Sequence, residues 1–214
     1  GARPVVTAAD TYRSNQRADL LPASAVPLVL PTPLQLTQGS GKLRLTGKPV
    51  ASASAALAGE ADLARSLFPA SLQGSGPALR LSVGKVEGQT SPEAYSLVVR
   101  AGGITIVGNS PAGVAYGLQT LRDLLPLPGA ADQSVPEVTI VDAPRFAYRG
   151  FMLDVSRNFH TKETVFKWLD LMARYKMNKF HFHLTDDEGW RLEIAGLPEL
   201  TSIGAVRGHS ARPG

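Results

Sequence analysis

The chain has 214 residues, of which 43% are hydrophobic and 19% charged, with a formal net charge of +4. That allows one or two globular domains with an ordinary core. It contains no apolar stretch of the roughly 18 residues a membrane helix needs, its basic residues are scattered rather than gathered into a nucleic-acid arm, and the lack of cysteine removes disulfides, thiol catalysis and Cys–zinc sites.

Residues 1–24 are polar and without periodicity, which predicts a flexible lead-in. No signal peptide is visible at Gly1-Ala2-Arg3-Pro4, a start that is equally a mature end left by processing or an engineered one. Pro27, Pro31 and Pro33 mark an extended entry. Leu34 to Leu36 and Leu43 to Leu45 alternate apolar with polar around Gly39-Ser40-Gly41, the pattern of a hairpin. Leu57, Ala61, Ala64 and Phe68 fall near helical spacing, predicting a helix over 53–68 that Pro69 ends. After a loop from Gly74 to Pro77, Leu79, Leu81 and Val83 alternate with Arg80 and Ser82 in a strand. A hairpin follows, with Tyr95 to Val99 and Ile104 to Val107 as arms and Gly102-Gly103 in the turn. Ser110 suits an N-cap and Pro111 a first helical position. Val114, Leu118, Leu121 and Leu125 then share one helix face, and Pro126 and Pro128 stop the helix. Residues 126–136 read as a loop and Val138 to Val141 as a last short strand, with a boundary at Asp142-Ala143-Pro144. Residues 25–143 therefore predict an α+β domain, an antiparallel sheet with helices on one side.

The pattern then changes. Residues 150–155 are mostly apolar, as parallel strands are, and end in Asp154 and Arg157. Thr161 can cap a helix with Glu163 in its first turn and Val165, Leu169 and Met172 as its buried stripe, closed by Lys176 and Asn178. Residues 179–184 form a second strand, followed by a long loop from Gly189 to Gly214. Strand, helix and parallel strand make a βαβ unit. Apolar strands with charged and aromatic residues beyond their far ends are how a parallel (β/α)8 barrel builds an active site, so residues 144–214 read as the first part of one, cut short in this chain.

Several residues near those strand ends suit chemistry. The Arg157 guanidinium offers a rigid fork of donors for two neighbouring hydroxyls or a carboxylate, or serves a salt bridge that pins its loop. Of the adjacent Asp186 and Asp187, one can face a site and accept from sugar hydroxyls; the other use of such a residue is to cap a loop. His181 and His183, two apart on a strand, share a face. They are either hydrogen-bonded interior histidines or half of a metal site, the pattern of a metal-dependent hydrolase. Trp190 is a sugar-stacking wall or core. No phosphate-cradling glycine loop and no nucleophile elbow occur.

Arg149-Gly-Phe-Met-Leu-Asp-Val-Ser-Arg157, followed by His183-Leu-Thr-Asp-Asp-Glu-Gly-Trp-Arg191, resembles the first two barrel strands of family 20 glycoside hydrolases, the β-N-acetylhexosaminidases. Glu93-Ala-Tyr-Ser-Leu to Gly117-Leu-Gln-Thr-Leu121 resembles the small α+β domain preceding that barrel. The resemblance implies substrate-assisted, retaining catalysis without a cofactor. The sugar's acetamide oxygen attacks the anomeric carbon, a Glu protonates the leaving oxygen, and the preceding Asp orients the acetamide. Arg157 matches the arginine that binds the sugar's 3- and 4-hydroxyls, Asp186 an aspartate that helps hold the catalytic machinery, and His183 is carried over with them as substrate-binding. The catalytic Asp-Glu pair, which follows a Gly-Gly in the family, has no counterpart in this sequence. It is expected downstream, on a companion polypeptide or further segment completing the barrel. The substrates implied are N-acetylhexosamine oligosaccharides or glycoconjugates, and the location implied is periplasmic or secreted. A carbohydrate-binding module without hydrolysis is the alternative.

Overall fold

A computed structural model describes residues 6–16, 22, 25–68, 72, 74–127 and 129–206. Helix α1, Ala8–Asn15, stands inside the segment expected to be a lead-in. It owes its existence to local chemistry, because Thr7 Oγ1 accepts from Asp10 N and the Asp10 carboxylate accepts from Thr7 N. This capping box satisfies two end donors, so no apolar stripe is needed. None of its residues is buried. Lead-in residues 1–5, 17–21 and 23–24, the expected stops Pro69 and Pro128, and residues 207–214 lie outside the described residues.

Six strands form the first sheet: β1 Gln35–Arg44, β2 Lys48–Ser52, β3 Ser75–Val83, β4 Tyr95–Arg100, β5 Gly103–Gly108 and β6 Ser134–Asp142, in the order β1-β6-β4-β5-β3-β2. The antiparallel sheet expected is in fact mixed, since β2 and β3 run parallel, as do β3 and β5. A 3-10 turn at Ala55–Leu57 and helix α2, Ala58–Leu67, carry the chain back from the end of β2 to the start of β3, and such a crossover makes neighbours parallel. The β4–β5 hairpin then docks with β5 against β3. Alternation in sequence gives a strand's faces but not its neighbours.

The expected hairpin at 34–45 is one long strand. Its register on β6 jumps between Gln38 and Lys42, leaving Gly39-Ser40-Gly41 as a bulge opposite Glu137. A Cβ on Gly41 would sit 2.7 Å from the Glu137 carboxylate, whose Oε1 accepts from Ala101 N at 2.9 Å. The glycines make room for a side chain rather than a turn. Strand β6 likewise starts earlier than the Pro- and Gly-rich composition suggested, because Ser134 to Pro136 pair with Lys42 to Arg44 beyond the bulge.

Helix α3, Pro111–Leu124, packs on this sheet beside α2. Val114, Leu118 and Leu121 are fully buried against Leu97, Ile104, Ile106 and Ile140. Each such leucine contributes about 2 kcal/mol relative to an exposed one. Ser110 stands at the N-cap position, but no hydrogen bond from its side chain caps the helix.

The second sheet pairs β7, Gly150–Asp154, with β8, Lys179–His183, in parallel, and α4, Lys162–Arg174, crosses between them. Thr161 caps α4 as its sequence predicts. Of the expected stripe only Met172 is buried; Val165 is half-buried and Leu169 39% exposed, and the neighbouring Phe166 is 52% exposed. No described element covers that face. A short helix, α5, Glu199–Ser202, interrupts the final loop.

A polar seam joins the two sheets. Arg149 donates to both oxygens of Glu93, at 2.9 and 3.1 Å, and to the Tyr116 hydroxyl. Its Nε reaches the Lys176 carbonyl. Lys176, in a left-handed backbone conformation, buries its ammonium against Asp142 at 3.1 Å and Tyr95 Oη at 2.9 Å. Arg174 pairs with Asp123, which also accepts from Leu30 N. The contacts of Arg149 and Lys176 border a cavity of about 320 Å³, and with the Arg174–Asp123 pair they seat β7 and β8 on the first sheet.

Candidate functional site

The parallel register places Asp154, the last residue of β7, opposite His183, the last of β8. Both strand ends then turn. One oxygen of Asp154 accepts from Ser156 N and Arg157 N, each at 2.9 Å, and the other lies 3.1 Å from Arg157 Nη1. On the β8 side, Asp186 Oδ1 accepts from Asp187 N at 2.9 Å. Its Oδ2 meets both Arg157 Nη1 and His183 Nε2, the latter at 2.8 Å. His183 Nε2 also lies 2.8 Å from Arg157 Nη1. Thus three acceptor-bearing side chains converge on one guanidinium nitrogen. Protonated at Nε2, His183 donates to Asp186; protonated only at Nδ1, it accepts from Arg157.

Charge and hydrogen bonding agree here. The Asp154 carboxyl is held below the usual aspartate range, first by the backbone N–H of Arg157. Asp186 is lowered as well, first by the Asp187 N–H and then by His183. Both are carboxylates at neutral pH, so the cluster offers acceptors and a cation together. Sugar hydroxyls, each donor and acceptor at once, suit such a surface.

The loops after β7 and β8 are locked to one another. Ser156 is fully buried, and its hydroxyl reaches the carbonyls of Glu188 and Gly189 at 2.9 and 3.1 Å. Gly189 has φ +75°, and a Cβ there would lie 2.3 Å from the Ser156 carbonyl oxygen. Arg191 crosses back to donate to Val155 O and Ala205 O, with its guanidinium over the Phe159 ring. Arg157 and Asp186 therefore sit on a shared, braced platform.

The structure brings together Arg157, His183 and Asp186, the residues that the sequence marks as candidates for substrate binding. Asp187 is exposed. Trp190 is half-buried and donates from Nε1 to Leu192 O. His181 shares a face with His183, their ring centroids 6.2 Å apart, but among the described residues no group of three or more His, Cys, Asp or Glu could hold a metal ion. Asp154, Ser156 and Arg191 received no role from sequence reasoning. The signal for Asp154 was present as an Asp two and three residues before the N–H groups it accepts from, a common turn device. Ser156 and Arg191 act across loops distant in sequence and carry no local signal.

Two family models match the chain: "Glycosyl hydrolase family 20, domain 2" over residues 26–143 and "Glycosyl hydrolase family 20, catalytic domain" over 146–213. A beta-hexosaminidase of Vibrio vulnificus is 42% identical over 96% of this chain and 24% of its own length. An N,N'-diacetylchitobiase of Vibrio harveyi is 54% identical over 53% of this chain and 13% of its own length. The solved structure of the Streptomyces plicatus N-acetyl-beta-hexosaminidase in complex with Thio-NAglucal superposes with a TM-score of 0.72 at 35% identity, covering 90% of this chain and 42% of that one. The chain thus spans about a quarter or less of the length of these two curated relatives.

Proposed function

The chain belongs to glycosyl hydrolase family 20, and on that premise we propose that it is the N-terminal portion of a retaining β-N-acetylhexosaminidase. That enzyme removes terminal β-linked N-acetylhexosamine, GlcNAc or GalNAc, from oligosaccharides or glycoconjugates outside the cytoplasm. In this reading β7, α4 and β8 open the (β/α)8 catalytic barrel, whose chemistry gathers at the C-terminal ends of its strands. The observation that carries the reading is the cluster of Arg157, His183 and Asp186 at those ends, in a chain both family models match.

Arg157 binds the 3- and 4-hydroxyls of the terminal sugar. Asp186 and His183 orient Arg157 and accept or donate to the same sugar. The acetamide of the substrate is the nucleophile, so this chain supplies recognition. The Asp-Glu pair that polarises the acetamide and protonates the leaving oxygen comes from a companion polypeptide or following segment that completes the barrel. The uncovered apolar hollow lined by Val165, Phe166, Leu169, Phe180, Phe182 and Leu184 supports this, as do the outer edges of a two-stranded sheet, which seek a neighbour.

The test is to assay the chain alone, and then assembled with the rest of such a barrel, on an aryl N-acetylglucosaminide. Hydrolysis with retained anomeric configuration only after assembly is expected. An assembled barrel that binds N-acetylglucosamine but does not cleave would replace this reading with a binding module.

A further inference from the structure

We propose that Asp154 is a positioning residue for sugar recognition, one that fixes both the backbone and the guanidinium of Arg157 before any sugar arrives. The inference rests on the hexosaminidase reading above and extends it to a residue that need not touch the sugar.

Arginine is a poor recognition group when its long side chain wanders, because every rotatable bond must be fixed on binding. Three contacts from one carboxylate address this. Asp154 Oδ1 accepts from Ser156 N and Arg157 N, which sets the turn from which Arg157 departs. Asp154 Oδ2 pairs with Arg157 Nη1 at 3.1 Å, which aims the side chain back over the strand ends. The carboxylate is itself held by β7, whose five residues pair in register with β8. Asp186 grips the same nitrogen from the β8 side, but that carboxylate is shared with His183. Asp154 is therefore a grip on Arg157 that owes nothing to the tautomer of His183. The two carboxylates meet the same guanidinium nitrogen from two sides, Asp154 from the end of β7 and Asp186 from the turn after β8, so that nitrogen is placed by the strand ends.

The experiment uses the assembled barrel and two aryl β-glycosides, one of N-acetylglucosamine and one of its 4-deoxy analogue. The readout is the ratio of kcat/KM between them, which reports how strongly the 4-hydroxyl is recognised. Asp154→Asn keeps an acceptor for the two backbone N–H groups but removes the charge that holds Nη1. Its ratio should fall by about tenfold to a hundredfold, the range of a charge-assisted hydrogen bond, because the parent sugar loses more than the 4-deoxy analogue, which keeps only the 3-hydroxyl contact. A general structural defect would lower both substrates equally and leave the ratio intact, and that outcome overturns the proposal. Arg157→Lys, measured beside it, separates the two levels of argument. If Arg157→Lys lowers the ratio and Asp154→Asn does not, only the role of Asp154 fails. If neither lowers it, the assignment of Arg157 to the sugar fails as well. Should Asp154→Asn not fold, Asp154→Glu keeps the charge one methylene out of place and is judged by the same ratio.

Discussion

Arg149 and Glu93 face each other across the seam in a two-pronged pair, 56 residues apart in sequence, each side chain less than a fifth exposed. The arginine immediately precedes β7, so the pair fixes where that strand begins relative to the first sheet. Glu93→Gln leaves the guanidinium partly covered and short of its counter-charge. The loss should be about 2 kcal/mol, less than for a deeply buried pair because the adjoining cavity admits water. Urea denaturation followed by tryptophan fluorescence measures it; both tryptophans follow β7, Trp168 on α4 and Trp190 in the loop after β8.

The same pair predicts a pH signature. The Arg149 guanidinium holds the Glu93 carboxyl below the usual glutamate range. A group whose folded pKa is depressed contributes stability above its unfolded value, about 4.3, and loses it as pH falls through the folded one. The difference in Tm between wild type and Glu93→Gln should be largest near neutrality and shrink as the pH is taken below about 4. A difference independent of pH would show that the carboxylate charge does not matter.

Lys176 tests the deeper part of the seam. Burial pushes its ammonium below the usual lysine range, and Asp142 and Tyr95 Oη compensate. Lys176→Met should cost roughly 3 kcal/mol, because Asp142 stays largely buried and loses the ammonium it pairs with. Adding Asp142→Asn should cost less than the two single changes summed, by about 1 kcal/mol or more. Strict additivity in a chemical-denaturation cycle would mean that the pair is not coupled.

Gly189→Ala addresses the brace between the loops. The substitution demands a positive φ and pushes a methyl group into the Ser156 carbonyl. A loss of about 1 to 3 kcal/mol is expected, the range for backbone strain at such positions. Sugar affinity of the assembled barrel, read by calorimetry with N-acetylglucosamine, should fall with it, since Ser156 adjoins Arg157. Unchanged affinity would place the brace outside the recognition site.

Arg157→Lys replaces the fork by a point charge. Affinity for N-acetylglucosamine should drop by roughly tenfold or more. Equal affinity in the same titration would remove Arg157 from the binding surface.

Much of the architecture was legible because it is local. The α3 stripe, the β4–β5 hairpin and the Thr161 cap are each written within a few turns of chain, and each stands where its pattern implied. The errors came where distant residues decide. Gly39-Ser40-Gly41 looks like a turn until Glu137 is seen lying over it. The neighbour of β3 depends on where a hairpin docks. Helix α1 was missed because a capping box, not an apolar face, supports it. Leu169 looked buried because its period is right, yet no described element covers it. The same division holds at the site. Arg157, His183 and Asp186 were visible as polar residues closing apolar strands, whereas the links from Ser156 and Arg191 exist only once two loops meet.

The seam also sorts its charges by position along the chain. Its carboxylates, Glu93, Asp123 and Asp142, come from the turn before β4, from α3 and from the end of β6, and its cations, Arg149, Arg174 and Lys176, from the later βαβ segment, just before β7 and at the end of α4. A joint with one sign on each side is selective in a way that a greasy one is not, since a mismatched partner meets unpaired or like charge. Transplanting either half therefore carries a condition. A chimera that exchanges the segment from Arg149 onward for another must import all three cations at these places, or change the acids that await them. A graft chosen for its apolar surface alone would find no seat.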